Sequence, residues 1–276
     1  ESNVLTETEI VFDNLLNILK QEHDCRLITF QTACNAINVP PPTQTYRYVS
    51  LDRTLLFAEY LKKYEELFQI DLIISNDCCV AFADINAPII TYATNPFSDI
   101  VTICEENKFY DIPYIYEQRL YSYLQKMQFK KSSKIIVPSL YMKKYVEGLG
   151  FDSKIIPFGI DTEKFNHTPF KGIGNLRETY DLPEDKKIGL WFGSFDQLNG
   201  YNFVQKLVKD FPDILWLLVF KEDVKYKPKL KNVRILKKKE IEPELYNCCN
   251  FFISAKYAEA FGFPQIEAAS CNIPLV

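Results

Sequence analysis

Residues 254–276 read Ser-Ala-Lys-Tyr-Ala-Glu-Ala-Phe-Gly-Phe-Pro-Gln-Ile-Glu-Ala-Ala-Ser-Cys-Asn-Ile-Pro-Leu-Val. An apolar, strand-like run precedes this stretch, a loop with Gly262 follows, and Pro264 stands where proline is favoured, in the first turn of a helix. The unpaired N–H groups of such a turn and the positive end of the helix dipole can hold a phosphate at the carboxyl edge of a parallel sheet. Glu259 in the loop and Glu267 about one turn into the helix can accept hydrogen bonds from sugar or ribose hydroxyls. The stretch therefore predicts a site for an anion and a sugar.

Taken singly, the two glutamates also fit a purely structural explanation. Glu259 can be a solvated loop residue, and Glu267 can be an early helix residue whose charge the helix dipole favours. A functional assignment therefore depends on the rest of the chain.

Upstream of this stretch, short apolar runs alternate with helical patterns. The runs that predict strands are 26–30, 71–75, 88–92, 134–137, 188–192, 214–220, 233–236 and 250–254. Apolar residues at helical spacing predict a helix directly after the capping box at 6–9, and further helices at 54–68, 114–130 and 140–148. Such alternation predicts an α/β fold with parallel sheets, because right-handed crossovers bury the strands on both faces.

A polar connection at 166–187 divides the predicted strands into two sets. We predict an amino-terminal Rossmann-like domain over residues 1–166 and a carboxyl-terminal Rossmann-like domain over residues 167–276, facing each other across a cleft. The chain begins almost at a helix and stops at the start of a strand. Both domains are therefore expected to be incomplete at the chain ends.

Composition and charge argue against several classes of protein. The chain has 276 residues, of which 47% are hydrophobic, and this is enough for a substantial core. Its net charge of −4 lacks the basic footprint of a nucleic-acid binder, so no nucleic acid is expected as a partner. No run reaches the roughly 18 apolar residues of a membrane span. We expect a cytoplasmic protein, either free or at the membrane surface.

The chain has eight cysteines and two histidines. The cysteines lie in apolar contexts and at the ends of predicted elements, in a chain too long to need disulfides. Adjacent pairs such as Cys78-Cys79 and Cys248-Cys249 do not have the spacing of zinc ligands. We therefore expect reduced, mostly buried thiols and no metal site.

The residues from Glu259 to Val276 form the string E-A-F-G-F-P-x-x-E-A-x-x-C-x-x-P-L-V. This string resembles the E-x7-E signature of retaining glycosyltransferases of the GT-B fold, in family four of the sequence-based classification. A second stretch, at 132–165, is similar to the pattern at the end of that family's first domain. It has a strand ending in Pro-Ser, a helix, and then a Pro-x-Gly-Ile-Asp turn followed by a phenylalanine.

The resemblance implies an enzyme that moves a sugar, with retained configuration, from a nucleotide diphosphate sugar of the UDP or GDP type. By this resemblance, Glu259 would bind hydroxyls of the donor sugar and Glu267 would bind the ribose. Phe261, Gly262 and Phe263 would supply main-chain contacts to the diphosphate or the sugar. No metal and no other cofactor is implied. The implied acceptor is a saccharide, a lipid-linked glycan or a protein-linked one.

The residues after the first strand of the second domain depart from the family. Its members usually carry Gly-Arg and then Lys-Gly here, and the corresponding residues of this chain are Gly193-Ser194 and Asn199-Gly200. Ser194 and Asn199 can still donate hydrogen bonds to phosphate oxygens, but they supply no charge, and charge-assisted bonds are about twice as strong. The alternative is therefore a catalytically degenerate GT-B-like binding or scaffold protein.

Two lysines at predicted strand ends, Lys221 and Lys237, are candidates to replace the missing charge. A basic run such as 237–239 is, however, also typical of a solvated face.

Two further features bear on the acceptor. Asn95 follows an apolar strand where related enzymes often carry acceptor contacts, although Asn-Pro is equally typical of a turn. The helical pattern at 114–130 places Tyr116 and Tyr123 near basic residues such as Arg119. A basic amphipathic helix predicts peripheral membrane contact, whereas packing of its apolar face against the sheet explains the pattern equally well.

Overall fold

The computed structural model describes residues 7–29, 36–38, 49–167, 176–220, 230–237 and 243–276. The chain divides into two compact units, Glu1–Phe158 and Gly159–Val276, each with its own parallel sheet. The boundary between the two units, after Phe158, is closer to the amino terminus than the boundary predicted after Asn166.

The segment between the two boundary positions belongs to the second unit because of its contacts. The ring of Phe165 packs edge-on against Tyr246 at 5.9 Å, and its carbonyl accepts a hydrogen bond from the hydroxyl of Ser270. Asn247 donates from its side-chain amide to the carbonyl of Asn166 at 3.0 Å. These partners come from distant parts of the chain, so local sequence patterns gave no sign of them.

The first unit contains a four-stranded parallel sheet and a two-stranded parallel pair. Its helices are α1 (Glu7–Leu19), α2 (Val49–Leu67), α3 (Phe97–Asn107), α4 (Ile112–Lys131) and α5 (Leu140–Gly148). Its strands are β1 (Leu27–Thr29), β2 (Ala36–Asn38), β3 (Ile73–Asn76), β4 (Ile89–Tyr92), β5 (Lys134–Val137) and β6 (Lys154–Ile155). Strands β3 to β6 are adjacent in chain order, and β1 pairs with β2. The carboxyl ends of β3 and β4 therefore meet at one edge of the sheet.

The second unit also has a four-stranded parallel sheet. Its strands are β7 (Ile188–Gly193), β8 (Leu215–Phe220), β9 (Val233–Lys237) and β10 (Phe251–Ile253), and its helices are α6 (Tyr201–Asp210), α7 (Pro243–Asn247) and α8 (Phe263–Ser270). The strand order is β10-β7-β8-β9. Leu275 forms an isolated parallel bridge with Phe252 of β10. Strands β7 and β10 are thus neighbours, and the loops that follow them leave the sheet side by side.

The core of the second unit lies on both faces of its sheet. All six residues of β8 are buried. Leu217 and Val219 pack into one cluster with Phe252, while Trp216 and Leu218 pack into another on the opposite face. A strand covered on both faces reads as a continuous apolar run, which is why this strand was predictable from sequence.

Most predicted elements are present within a few residues of their predicted bounds, but three helices, α3, α6 and the short α7, were missed. Helix α3 contains the run Ile-Val-Thr-Ile at 100–103, and β-branched residues have low helix propensity. Helix α6 begins after Gly200, which has a φ of 75° and provides no side-chain cap. Helix α6 thus lacks the usual signal of a helix start, although its buried residues Tyr201, Val204 and Val208 have helical spacing.

The prediction of reduced, mostly buried cysteines is confirmed for the seven that the structure describes. All seven are free thiols, and five of them are buried. Burial raises the pKa of Cys79 to about 12 and the pKa values of Cys248 and Cys271 to about 11. These thiols stay protonated at neutral pH and act as packing residues.

Candidate functional site

Two loops meet at the carboxyl edge of the second sheet: the β7–α6 loop (194–200) and the β10–α8 loop (254–262). The amide of Tyr257 donates to the carbonyl of Leu198 at 2.9 Å. Gly200 lies so close to Ala255 that a Cβ atom at position 200 would stand 2.1 Å from the carbonyl oxygen of Ala255. The two loops are therefore in direct backbone contact at the edge where parallel α/β sheets bind ligands.

The start of α8 has the form that the sequence predicted. Gly262 precedes the helix with a φ of 82°, Pro264 lies in the first turn, and no side chain caps the helix. A Cβ atom at Gly262 would stand 2.7 Å from the side-chain oxygen of Gln265, so glycine also leaves room here. The rings of Phe261 and Phe263 pack against each other at 5.1 Å. A first turn without a side-chain cap offers main-chain N–H groups to an anion.

Glu259 lies in the β10–α8 loop and forms an ion pair with Lys256. The ammonium Nζ of Lys256 donates to Oε1 of Glu259 at 3.0 Å. The two side chains are 31% and 24% exposed, respectively. The pair is thus partly shielded from water yet open to a ligand at this edge.

Glu267 lies in the second turn of α8, where its carboxylate is held by Tyr246. The phenol of Tyr246 donates to Oε2 of Glu267. Tyr246 is fully buried and packs edge-on against Phe192 at 5.4 Å. Burial and the neighbouring Glu267 carboxylate raise the pKa of Tyr246 far above its usual value, so the phenol stays a donor. This arrangement fixes the orientation of the Glu267 carboxylate.

Sequence reasoning missed Tyr246. It belongs to α7, which has only five residues, and it lies 21 residues before Glu267 in the chain. No regular spacing connects two positions so far apart.

Asn199 is engaged within its own loop. Its backbone amide donates to Oδ1 of Asp196 at 2.8 Å, and its side-chain amide donates to Oδ2 of the same residue at 2.6 Å. Ser194 opens this loop and is partly exposed. The side-chain donor that the sequence assigned to phosphate is therefore directed at a carboxylate in this structure.

Gly193 has a packing role at the end of β7. A Cβ atom there would come within 2.3 Å of Cζ2 of Trp191, so only glycine leaves room for the buried indole. Of the two lysines predicted to replace the missing charge, Lys221 lies outside the described residues. Lys237 is the last residue of β9, and its side chain also lies outside the described part of the structure.

In the first unit, Asn95 belongs to a buried polar network around Asp77. Asp77 follows β3 directly, and its carboxylate accepts from the side chains of Asn95 at 2.7 Å and Thr94 at 2.8 Å. Gln125 of α4 donates to the same carboxylate at 2.9 Å. Burial raises the pKa of Asp77. These contacts support the structural explanation of Asn95, and its role in acceptor binding stays a prediction.

The apolar residues of α4 divide between buried and exposed positions. Leu124 is fully buried, and Leu120 packs beside it against the core. Ile112, Tyr116 and Tyr123 are instead 69%, 51% and 62% exposed. Packing against the core thus accounts for Leu120 and Leu124. The exposed residues of α4 are still compatible with the predicted membrane contact, which stays a prediction. Of the helices that the structure describes, none has the length and apolarity needed to cross a membrane.

Within the described residues, no three histidine, cysteine, aspartate or glutamate side chains are placed to hold one metal ion. Metal-independent transfer stays a prediction.

Comparison with solved structures shows the fold. The chain is 18% identical to a sucrose-phosphate synthase from Thermosynechococcus elongatus, with a TM-score of 0.75 over 98% of this chain and 75% of that one. It is 15% identical to WaaG, a glycosyltransferase involved in lipopolysaccharide biosynthesis, with a TM-score of 0.75 over 99% and 77%. It is 17% identical to HepE from Anabaena, solved in complex with UDP, with a TM-score of 0.67 over 100% and 78%. The predicted GT-B fold, with a parallel-sheet α/β domain in each half of the chain, is confirmed.

Comparison with curated protein sequences gives no significant match. The family model described as Glycosyltransferase Family 4, however, matches residues 8–164, which is more than half of the chain. The match covers the first unit, whereas the E-x7-E resemblance lies in the second, so the two are independent. The chain therefore belongs to glycosyltransferase family 4.

Proposed function

We propose that this glycosyltransferase moves a sugar, with retention, from a nucleotide diphosphate sugar to a saccharide, lipid-linked or protein-linked acceptor, without a required metal. The observation that carries the proposal is the start of α8. This helix start has no side-chain cap, and it lies between Glu259 in the preceding loop and Glu267 in the second turn of the helix. HepE, which shares the fold, has been solved with UDP and with UDP-glucose. This likeness favours a donor of the UDP type.

In the proposed complex, the donor diphosphate lies at the main-chain amides at the start of α8. Glu259 accepts hydrogen bonds from the sugar, and Glu267 accepts them from the ribose. When the bond between the anomeric carbon and the diphosphate oxygen breaks, its electron pair passes to the diphosphate. Groups that stabilise this negative charge therefore contribute most to the rate. The sugar becomes positively charged at the same moment, and the nearby Glu259 carboxylate favours that charge.

Calorimetry with UDP and GDP tests donor binding, and a screen of nucleotide sugars with simple saccharide acceptors tests transfer. We expect one of the two nucleotides to bind with a dissociation constant in the micromolar range and its sugar conjugate to be consumed. Binding without any transfer would favour a scaffold protein that has lost its chemistry. The proposal would be contradicted if the protein bound neither UDP nor GDP.

Replacing Tyr246 by phenylalanine is expected to weaken UDP binding about tenfold. The change removes one charge-assisted hydrogen bond, which typically contributes about 1.5–3 kcal/mol, and leaves Glu267 free to turn away from the ribose. The loss should disappear with 2′,3′-dideoxy-UDP, which has no ribose hydroxyls for Glu267 to hold. Tyr180→Phe, a tyrosine of the same unit outside the site, serves as the control. Equal losses for both nucleotides would indicate that Tyr246 acts only through stability.

A further inference from the structure

The β7–α6 loop has negative charge where a diphosphate would bind. Its residues, Ser-Phe-Asp-Gln-Leu-Asn-Gly, include one carboxylate and no cation. The backbone amide of Asn199 and one N–H of its side-chain amide are directed at Asp196. A leaving diphosphate therefore needs positive charge from a different part of the chain.

The contact between the two loops shows which residue stands opposite Asn199. Tyr257 is hydrogen-bonded to Leu198, and Ala255 lies against Gly200. These two contacts bracket Asn199 on one loop and Lys256 on the other. The backbone of Lys256 therefore lies beside the backbone of Asn199, although the two residues are far apart in sequence.

Lys256 has the surroundings of a ligand-binding cation. It is the sole basic residue in the two loops, 194–200 and 254–262. Its side chain is 31% exposed, and its ammonium lies 3.0 Å from the carboxylate of Glu259. It also lies seven residues before the start of α8 in the same short connection. An ammonium held here can contact a phosphate while it stays close to the acid proposed to hold the sugar.

Two buried oxygen atoms at this edge lack hydrogen-bond partners. Oε1 of Gln197 lies in the β7–α6 loop and Oε1 of Gln265 lies in the first turn of α8, and both are without a partner among the described residues. Buried amide oxygens without a donor are uncommon in folded proteins. A nucleotide sugar carries hydroxyl and N–H groups that can supply such donors. These oxygens point to a ligand with hydroxyl or N–H groups at the place where the two loops meet.

We propose that Lys256 binds the donor diphosphate and supplies, from the β10–α8 loop, the positive charge that the β7–α6 loop lacks. The inference rests on the proposed function and assigns a residue to that same site. Lys256 then contacts the diphosphate and neutralises the charge that develops there when the sugar leaves.

The experiment compares the binding of UDP, GDP and their nucleosides, uridine and guanosine, to the wild type and to Lys256→Met by calorimetry. We expect Lys256→Met to bind the nucleoside diphosphate about tenfold more weakly and to bind the matching nucleoside with unchanged affinity. Lys256→Arg should retain most of the wild-type affinity because it keeps the charge. Lys209→Met removes one exposed positive charge from the last turn of α6, away from this edge, and is expected to have no effect.

A second variant tests the placement of the charge. Adding Asn199→Lys to Lys256→Met puts a cation on the facing loop, so the double variant should recover nucleoside diphosphate binding. Recovery also shows that the variants are folded. Unchanged diphosphate binding in Lys256→Met, or an equal loss for the matching nucleoside, would overturn the inference while the proposed function stands. If the wild type binds neither UDP nor GDP, the proposed function is overturned, and the inference with it.

Discussion

Glu267→Gln and Glu259→Gln are each expected to lower kcat/KM for the donor sugar by about 10²- to 10³-fold. A carboxylate that accepts two sugar or ribose hydroxyls contributes about 1.5–3 kcal/mol per hydrogen bond, and glutamine replaces it by a neutral, weaker acceptor. The two variants should differ in which kinetic constant changes. The ribose does not change during the reaction, so Glu267→Gln should mainly raise KM. The sugar gains charge in the transition state, so Glu259→Gln should mainly lower kcat.

Steady-state kinetics over a range of donor concentrations separates these two effects. Glutamine at position 267 can still accept from the phenol of Tyr246, so the substitution keeps the local packing. Glu178→Gln changes an exposed glutamate of the same unit and should leave both constants unaltered. Undiminished transfer by both site variants would count decisively against the roles assigned to the two acids.

Arg177→Met is expected to lower the free energy of unfolding of the second unit by about 3–5 kcal/mol, because several buried and partly buried oxygen atoms lose their donor. Arg177 is only 9% exposed. Its guanidinium donates to the carbonyls of Cys248 at 3.1 Å and Glu184 at 2.9 Å, and to the side chain of Asn250 at 3.1 Å. It also reaches the carbonyls of Pro183 and Lys186. Arg177 thus connects the segment that precedes β7 with the segment that precedes β10.

Urea unfolding followed by tryptophan fluorescence measures this effect in the second unit alone. The chain has two tryptophans, Trp191 and Trp216, and both are buried in that unit. Arg234→Met is the matched control, because the Arg234 side chain is 37% exposed and pairs with Asp181 at 3.2 Å. A surface pair of this kind contributes about 1 kcal/mol or less. Equal losses from the two substitutions would mean that the Arg177 contacts add little to stability.

The fold followed closely from the sequence because its signals are local. Strand β5 and helix α5 have the predicted bounds, since apolar periodicity is a property of neighbouring residues. The start of α8 was equally predictable, because Gly262 and Pro264 restrict the backbone within a few residues. Helix α3 was missed for the same reason, since its β-branched residues at 100–103 favour extended structure locally.

Sequence alone therefore determined the parallel α/β architecture, the family, and the placement of Glu259 before α8 and of Glu267 inside it. The tertiary structure decided that Glu267 meets Tyr246, and that Lys256, which pairs with Glu259 within its own loop, lies beside Asn199. The tertiary structure also places the side-chain amide of Asn95 against the carboxylate of Asp77. The physical reason is distance along the chain. Periodicity and backbone restriction act over a few residues, whereas contacts between loops and short helices depend on which strands are adjacent in the sheet.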